Sequence, residues 1–190
     1  MGLFAAALGA QTTLSDMRPP LAATAAVSYS VDGALDHVAG QSSSMLDLLR
    51  SNAAANNGMC KHEPTVIELD WTDNGHVELA VAASPLGEGF SLILGSDITH
   101  ASSSHTSLAS AISRMLQRPR IGHTGARHPV AGGIALIAHE TRSTSLKDVD
   151  PSHESFETAA RLVGLRVASM PLTSPIGETI GQLIQLTRII

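Results

Sequence analysis

The chain is poor in cysteine, aromatics, charge and long apolar runs, and each shortage removes a class of protein. Among 190 residues there is one cysteine, Cys60. No internal disulfide can form from it, and no cysteine-based zinc cluster can be built. A reducing, cytoplasmic setting is therefore the expected one. Aromatics make up 3% of the residues, too few for a broad base-stacking surface, so nucleic acid is not an expected partner. The longest uncharged apolar stretch, near Val130 to Ala138, is far shorter than the about 20 residues a membrane helix needs, so no membrane partner is expected either. The segment from Met1 to Ala10 is apolar but has no positive charge ahead of it. It reads as an N-terminal extension rather than as a cleaved signal peptide.

Hydrophobic residues are plentiful at 43%, enough to bury a core in one domain or two small ones. The charge is unevenly spread. Residues 1–100 carry three basic side chains (Arg18, Arg50, Lys61) against eleven acidic ones, and residues 101–190 carry nine basic against six acidic. Arg114, Arg118, Arg120 and Arg127 fall close together, with His123 and His128 beside them. The favoured reading of that basic segment is a solvated helix end and linker facing the acidic first half.

Patterning sorts the chain into elements. Val27, Tyr29 and Val31 alternate before the turn Asp32-Gly33, which predicts a strand. Met45, Leu48, Leu49 and Asn52 recur at helical spacing after the serines at 42–44, and Asn56-Asn57-Gly58 stops that helix. Ile67, Leu69 and Trp71 alternate with acidic residues. Asp73-Asn74-Gly75 follows, a hairpin signature because Asn-Gly tolerates positive φ. Val77, Leu79, Val81 and Ala83 then keep a period of two up to Pro85. The turn Gly87-Glu88-Gly89 leads into Phe90, Leu92 and Leu94. Three successive strands with short turns predict an antiparallel meander with one apolar face to be covered. Leu108, Ala111, Ile112 and Met115 form a helical stripe that Pro119 ends. Downstream, a strand is predicted at 134–138, a short helix at 157–163, and a terminal hairpin from 165–170 and 180–189.

Two segments resemble each other. Val77 to Leu86 and Val163 to Leu172 are identical at six of ten positions, and a Gly-Glu pair follows each. Such self-similarity favours a duplicated unit.

The series from the Asn74-Gly75 turn through Ser84-Pro85-Leu86, Gly87-Glu88-Gly89 and Asp97-Ile98-Thr99 into a helix resembles the C-terminal half of a PAS domain. The match covers residues 65–117, and Arg166 to Ile190 is similar to its last two strands in a reduced second copy. The resemblance implies an α+β fold: an antiparallel sheet meander with helices packed on one face. It divides the chain into an extension at 1–17, a PAS-like domain with a signalling helix at 18–117, a linker at 118–127 and the reduced unit at 128–190. It also implies a cytoplasmic, non-catalytic module for signal sensing and protein interaction. Trp71, Leu79, Val81, Leu92 and Leu94 would line a pocket for a small-molecule ligand, and Asp97 and Thr99 would form the junction to the signalling helix. The partner would be a second copy of the chain or a signalling protein. No cofactor is assigned.

Motifs for other chemistry are mostly incomplete. His62-Glu63, His139-Glu140 and His153-Glu154 each lack the second histidine of a His-Glu-x-x-His helix, since Val66, Ser143 and Glu157 stand there. His100 and His105 are five apart, as are His123 and His128, not the spacing that places two ligands on one helical face. No metal ligand and no catalytic residue is named. Two alternatives to the sensor remain: a small enzyme whose acid or base is His123 or His128, and a protein-binding scaffold of roadblock or profilin-like architecture.

Overall fold

The structure is a computed structural model that describes residues 10–16, 45–99, 101–119, 132–140, 152–177 and 179–188. The chain divides into two compact units, Met1–Asp70 and Trp71–Ile190. The expected strand around Val27, Tyr29 and Val31 lies outside the described residues, as do His100, His123 and His128.

In the first unit, β1 (Thr13–Asp16) pairs in parallel with β2 (Thr65–Glu68). Helix α1 (Met45–Asn56) comes between them in sequence, buries Leu46 and Ala53, and packs against both strands. It ends where Asn56-Asn57-Gly58 predicts, in a 3₁₀ turn over Asn57–Met59. The half-buried Cys60 follows.

The second unit holds α2 (Asn74–Ala82), β3 (Leu92–Ser96), α3 (His105–Met115), β4 (Ile134–Glu140), α4 (Ser152–Leu162), β5 (Leu165–Thr173) and β6 (Thr179–Arg188). Its sheet has the order β3-β4-β6-β5. β3 and β4 are parallel, with Leu92 opposite Ile134 and Ser96 opposite Ala138. β6 is antiparallel to β4 and to β5, so the predicted terminal hairpin is present. The coarse class, mixed α and β, is as expected. The antiparallel meander is not: β3 has a parallel neighbour, and the strand predicted over 77–83 is helix α2.

The Asp-Asn-Gly sequence explains that difference. Asp73 does not open a hairpin. Its carboxylate Oδ1 accepts a hydrogen bond from the Gly75 amide at 2.7 Å and so caps α2. A side-chain oxygen at this position satisfies one of the amides that a helix start leaves without a partner. The residues behind it, Val-Glu-Leu-Ala-Val-Ala, include several strong helix formers whose apolar members happen to alternate. Asp73→Ala should lower the stability of this unit by about 1 kcal/mol, read from chemical denaturation. An unchanged midpoint would show that the cap contributes nothing. The same finding removes the duplicated unit, because Val77 to Ala82 is helical while the similar Leu165 to Leu172 lies in strand β5.

One sheet face carries the core. Ala135 and Ile137 of β4, Ile184 and Leu186 of β6 and Leu165 of β5 are buried against Leu108, Ala109 and Ile112 of α3 and Phe156, Ala159 and Ala160 of α4. Helix α3 follows its predicted stripe, and its last turn carries Arg114, which suits the negative end of the helix dipole. The side chains of Leu92, Leu94 and Met170 belong to the other face by strand alternation, and all three are exposed.

Candidate functional site

The loops that leave the carboxyl ends of two neighbouring parallel strands run side by side, and loops held by a rigid sheet are where functional groups gather. In the second unit those ends are Ser96 and Ala138, which sit opposite each other. The next residue, Asp97, donates its amide hydrogen to the Ala138 carbonyl at 2.9 Å. Asp97 has φ 57°, the left-handed region that a residue with a Cβ seldom adopts. Gly95, two residues earlier, makes room for the turn. A Cβ there would lie 2.6 Å from the Ile98 side chain and 2.9 Å from that of Ile137.

Two residues on from Asp97 a buried polar cluster begins. Thr99, His105 and His139 are buried. Thr99 Oγ1 is 2.7 Å from His139 Nδ1, and His105 Nε2 donates to the Thr99 carbonyl at 2.8 Å. A carbonyl can only accept, so the Nε2 of His105 carries hydrogen. In the neutral ring, His105 Nδ1 is then an acceptor, and it receives the Ser155 hydroxyl at 3.1 Å. Phe156 meets the His105 ring edge-on, with centroids 5.7 Å apart. The His153 ring lies 5.8 Å from that of His139, and His153 Nδ1 is buried with no hydrogen-bond partner. The cluster thus joins the end of β3, the end of β4, the start of α3 and the first turns of α4.

Chemically, this places an aspartate with left-handed backbone close in the chain to a buried cluster in which hydrogen bonds hold the His105 and His139 rings. Asp97 is half-buried, while the ring nitrogens of the cluster are shielded from water. A carboxylate in such a place can accept a proton from a bound ligand or hold a polar group of it. Among the described residues, no group of three or more histidine, cysteine, aspartate or glutamate side chains is arranged to hold a metal ion.

The residues proposed from the sequence as a ligand pocket do not come together. Trp71 packs at the margin of the core. Leu79 is 65% exposed on α2, and Val81 lies on the same helix rather than on a strand. Leu92 and Leu94 are 50% and 40% exposed on the sheet face away from α3 and α4. Asp97 and Thr99 stand between β3 and the start of the α3 region, and Thr99 belongs to the polar cluster. No sequence pattern groups His105, His139 and His153. One clue was available: His139 continues the alternation of the buried Ala135 and Ile137, which aims it into the core face. His105 and His153 are separated from it in sequence and meet it only through the fold.

No family model matches the chain. No curated protein matches it in sequence. Among solved structures, it is similar to the crystal structure of magnesium protoporphyrin IX methyltransferase (ChlM) from Synechocystis PCC 6803 with bound SAH. The TM-score is 0.42 and the identity 8%. The match covers 73% of this chain and 58% of that one, so the chain spans a little over half the length of that protein. A superposition of this quality carries neither activity nor residue roles from one chain to another.

The expectation of a non-catalytic PAS-type sensor is corrected here. Its sheet required an antiparallel meander through residues 65–94, and the structure has a helix and a parallel strand pair instead. Among the described residues, no helix is long and apolar enough to cross a membrane.

Proposed function

We propose that the second unit is catalytic and binds a small molecule at the carboxyl ends of β3 and β4, with Asp97 as the residue that touches it. The supporting observation is the left-handed backbone of Asp97, which leaves the end of β3 with its amide bonded to the Ala138 carbonyl; Ala138 is one residue before His139, and Asp97 is two before Thr99. Aspartate and asparagine enter this region more readily than other residues with a Cβ, and such conformations collect at functional positions. Thr99 and His139 are positioning residues. Their side-chain contact ties the segment after β3 to β4, and Asp97 takes or holds the proton that the ligand gives up. Methyl transfer, the activity printed for the similar solved structure, is one reaction class in which an acceptor loses a proton, and SAH is therefore a direct probe.

Asp97→Asn separates chemistry from folding. Asparagine tolerates the left-handed region as aspartate does, so the melting temperature should change little. Ligand titrations followed by NMR, with SAH and a fragment set as probes, should perturb Asp97, Thr99 and His139 together. In the asparagine variant the affinity should fall about tenfold. Turnover of any substrate found should fall about 10²–10⁴-fold, the usual contribution of a general acid or base. SAH binding at these residues would support methyl transfer, and another ligand there would support the catalytic edge without it. Ligands that bind elsewhere and leave these signals unmoved would sink the proposal.

A further inference from the structure

The opposite end of the same sheet face carries a second polar feature. β6 runs antiparallel to β4, so Arg188, the last residue of β6, lies by the amino end of β4. Helix α3 ends there too, and Arg188 Nη1 donates to the Leu116 carbonyl at 3.4 Å. The backbone around this point is tightly joined. Phe90 donates to the Met115 carbonyl at 2.8 Å, Gln117 to Phe90 at 3.0 Å, and Gly133 to Gln117 at 2.9 Å.

A cavity of about 490 Å³ opens beside this junction. Its charged lining is Arg114, Arg118, Arg188 and the exposed Glu88, with Val81 and Pro119 as apolar wall. Arg114 is already committed, donating to Asn74 Oδ1 at 2.6 Å and to Glu78 Oε1 at 3.1 Å. Arg118 makes no hydrogen bond or ion pair among the described residues. Burial, and then the neighbouring Arg118 guanidinium, hold Arg188 below the usual guanidinium range. Two cations that share a cavity repel each other, and an anion between them turns that repulsion into attraction.

We propose that this cavity binds the phosphate group of a small molecule between Arg118 and Arg188. The volume suits a small ligand, since such pockets run from about 300 to 1,000 Å³. Guanidinium groups offer planar, paired donors that match phosphate oxygens. Phosphate is favoured over carboxylate because its second negative charge answers the second guanidinium. The site lies at the amino ends of β3 and β4, so it is separate from the Asp97 cluster and does not depend on the role proposed for it.

The test is isothermal titration of the full chain with inorganic phosphate, phenyl phosphate and acetate, at constant ionic strength set by chloride. Saturable phosphate binding is expected, tighter for phenyl phosphate and absent for acetate. Arg118→Gln should weaken it about tenfold, as should Arg188→Gln, while Glu88→Gln should tighten it. Arg118 is exposed, so its variant keeps the question open to decision even if replacing Arg188 upsets the fold. Binding that is not saturable, or that is equal in Arg118→Gln and the unaltered chain, overturns the proposal. Acetate binding as tight as phosphate overturns the choice of phosphate.

Discussion

Replacing Phe156 by alanine is expected to lower the unfolding free energy of the second unit by about 3–5 kcal/mol. Phe156 is fully buried, and it is the largest fully buried side chain among the described residues. It projects from α4 into the layer formed by α3 and the core face of the sheet. Truncation loses the transfer free energy of the ring and leaves a cavity that two packed helices cannot easily close. The ring also buttresses His105 edge-on, so the same change frees the imidazole that donates to the Thr99 carbonyl. Urea denaturation measures the first effect, and the His105 ring signals in NMR report the second. Phe156→Leu should cost less, about 1.5 kcal/mol or below, because more of the volume is kept. A loss under about 1 kcal/mol for the alanine variant would mean that α4 is not seated on the sheet as described. For comparison, the exposed pairs Arg114–Glu78 and Arg50–Asp47 belong to a class worth about 0–1 kcal/mol each.

Elements with one dominant period were legible in the sequence. Helix α3 follows Leu108, Ala111, Ile112 and Met115, with Pro119 beyond its end, and no other period competes there. β4 follows a compact apolar run, and β5 and β6 form the hairpin expected from their alternation and the turn between them. Gly87 and Gly89 do adopt positive φ, as their turn required. In helix α2 the period of two in Val77, Leu79, Val81 and Ala83 mimics a strand, while the cap at Asp73 and the helix-forming side chains between decide for helix. Read as a strand, α2 gives β3 a false antiparallel neighbour. Its true neighbour, β4, begins 38 residues after β3 ends, and parallel pairing across such a gap leaves no local turn signature. The candidate site was hidden for the same reason. Asp97 and Thr99 were picked out by a short motif, but the imidazoles of the cluster come from α3, β4 and α4, and no spacing in the sequence links the three.

The second large effect tests whether the polar cluster is held together as a unit. Thr99→Val keeps the shape of the side chain and removes the oxygen that lies 2.7 Å from His139 Nδ1. The ring nitrogen then loses its partner in a buried place, which costs about 1–3 kcal/mol. His139→Leu removes the ring and strands the threonine hydroxyl instead, at a similar cost. Replacing both leaves neither group orphaned, so the double variant should be more stable than the sum of the single losses predicts. A coupling of about 1–2 kcal/mol is expected from the cycle. The backbone carbonyl of Thr99 still accepts from His105 in every variant, and the other contacts of His139 are lost alike in both variants that replace it, so they cancel from the coupling. Denaturation of the four proteins under one set of conditions gives the coupling directly. Strict additivity would show that the contact carries no energy, and the pair would lose its claim to tie the segment after β3 to β4. If the contact matters for binding as well as for folding, Thr99→Val should weaken the ligand that perturbs Asp97 even though the carboxylate is intact, while the double variant regains stability without regaining that affinity. Stability and affinity recovered together would instead make the cluster a packing device and leave Asp97 to act alone.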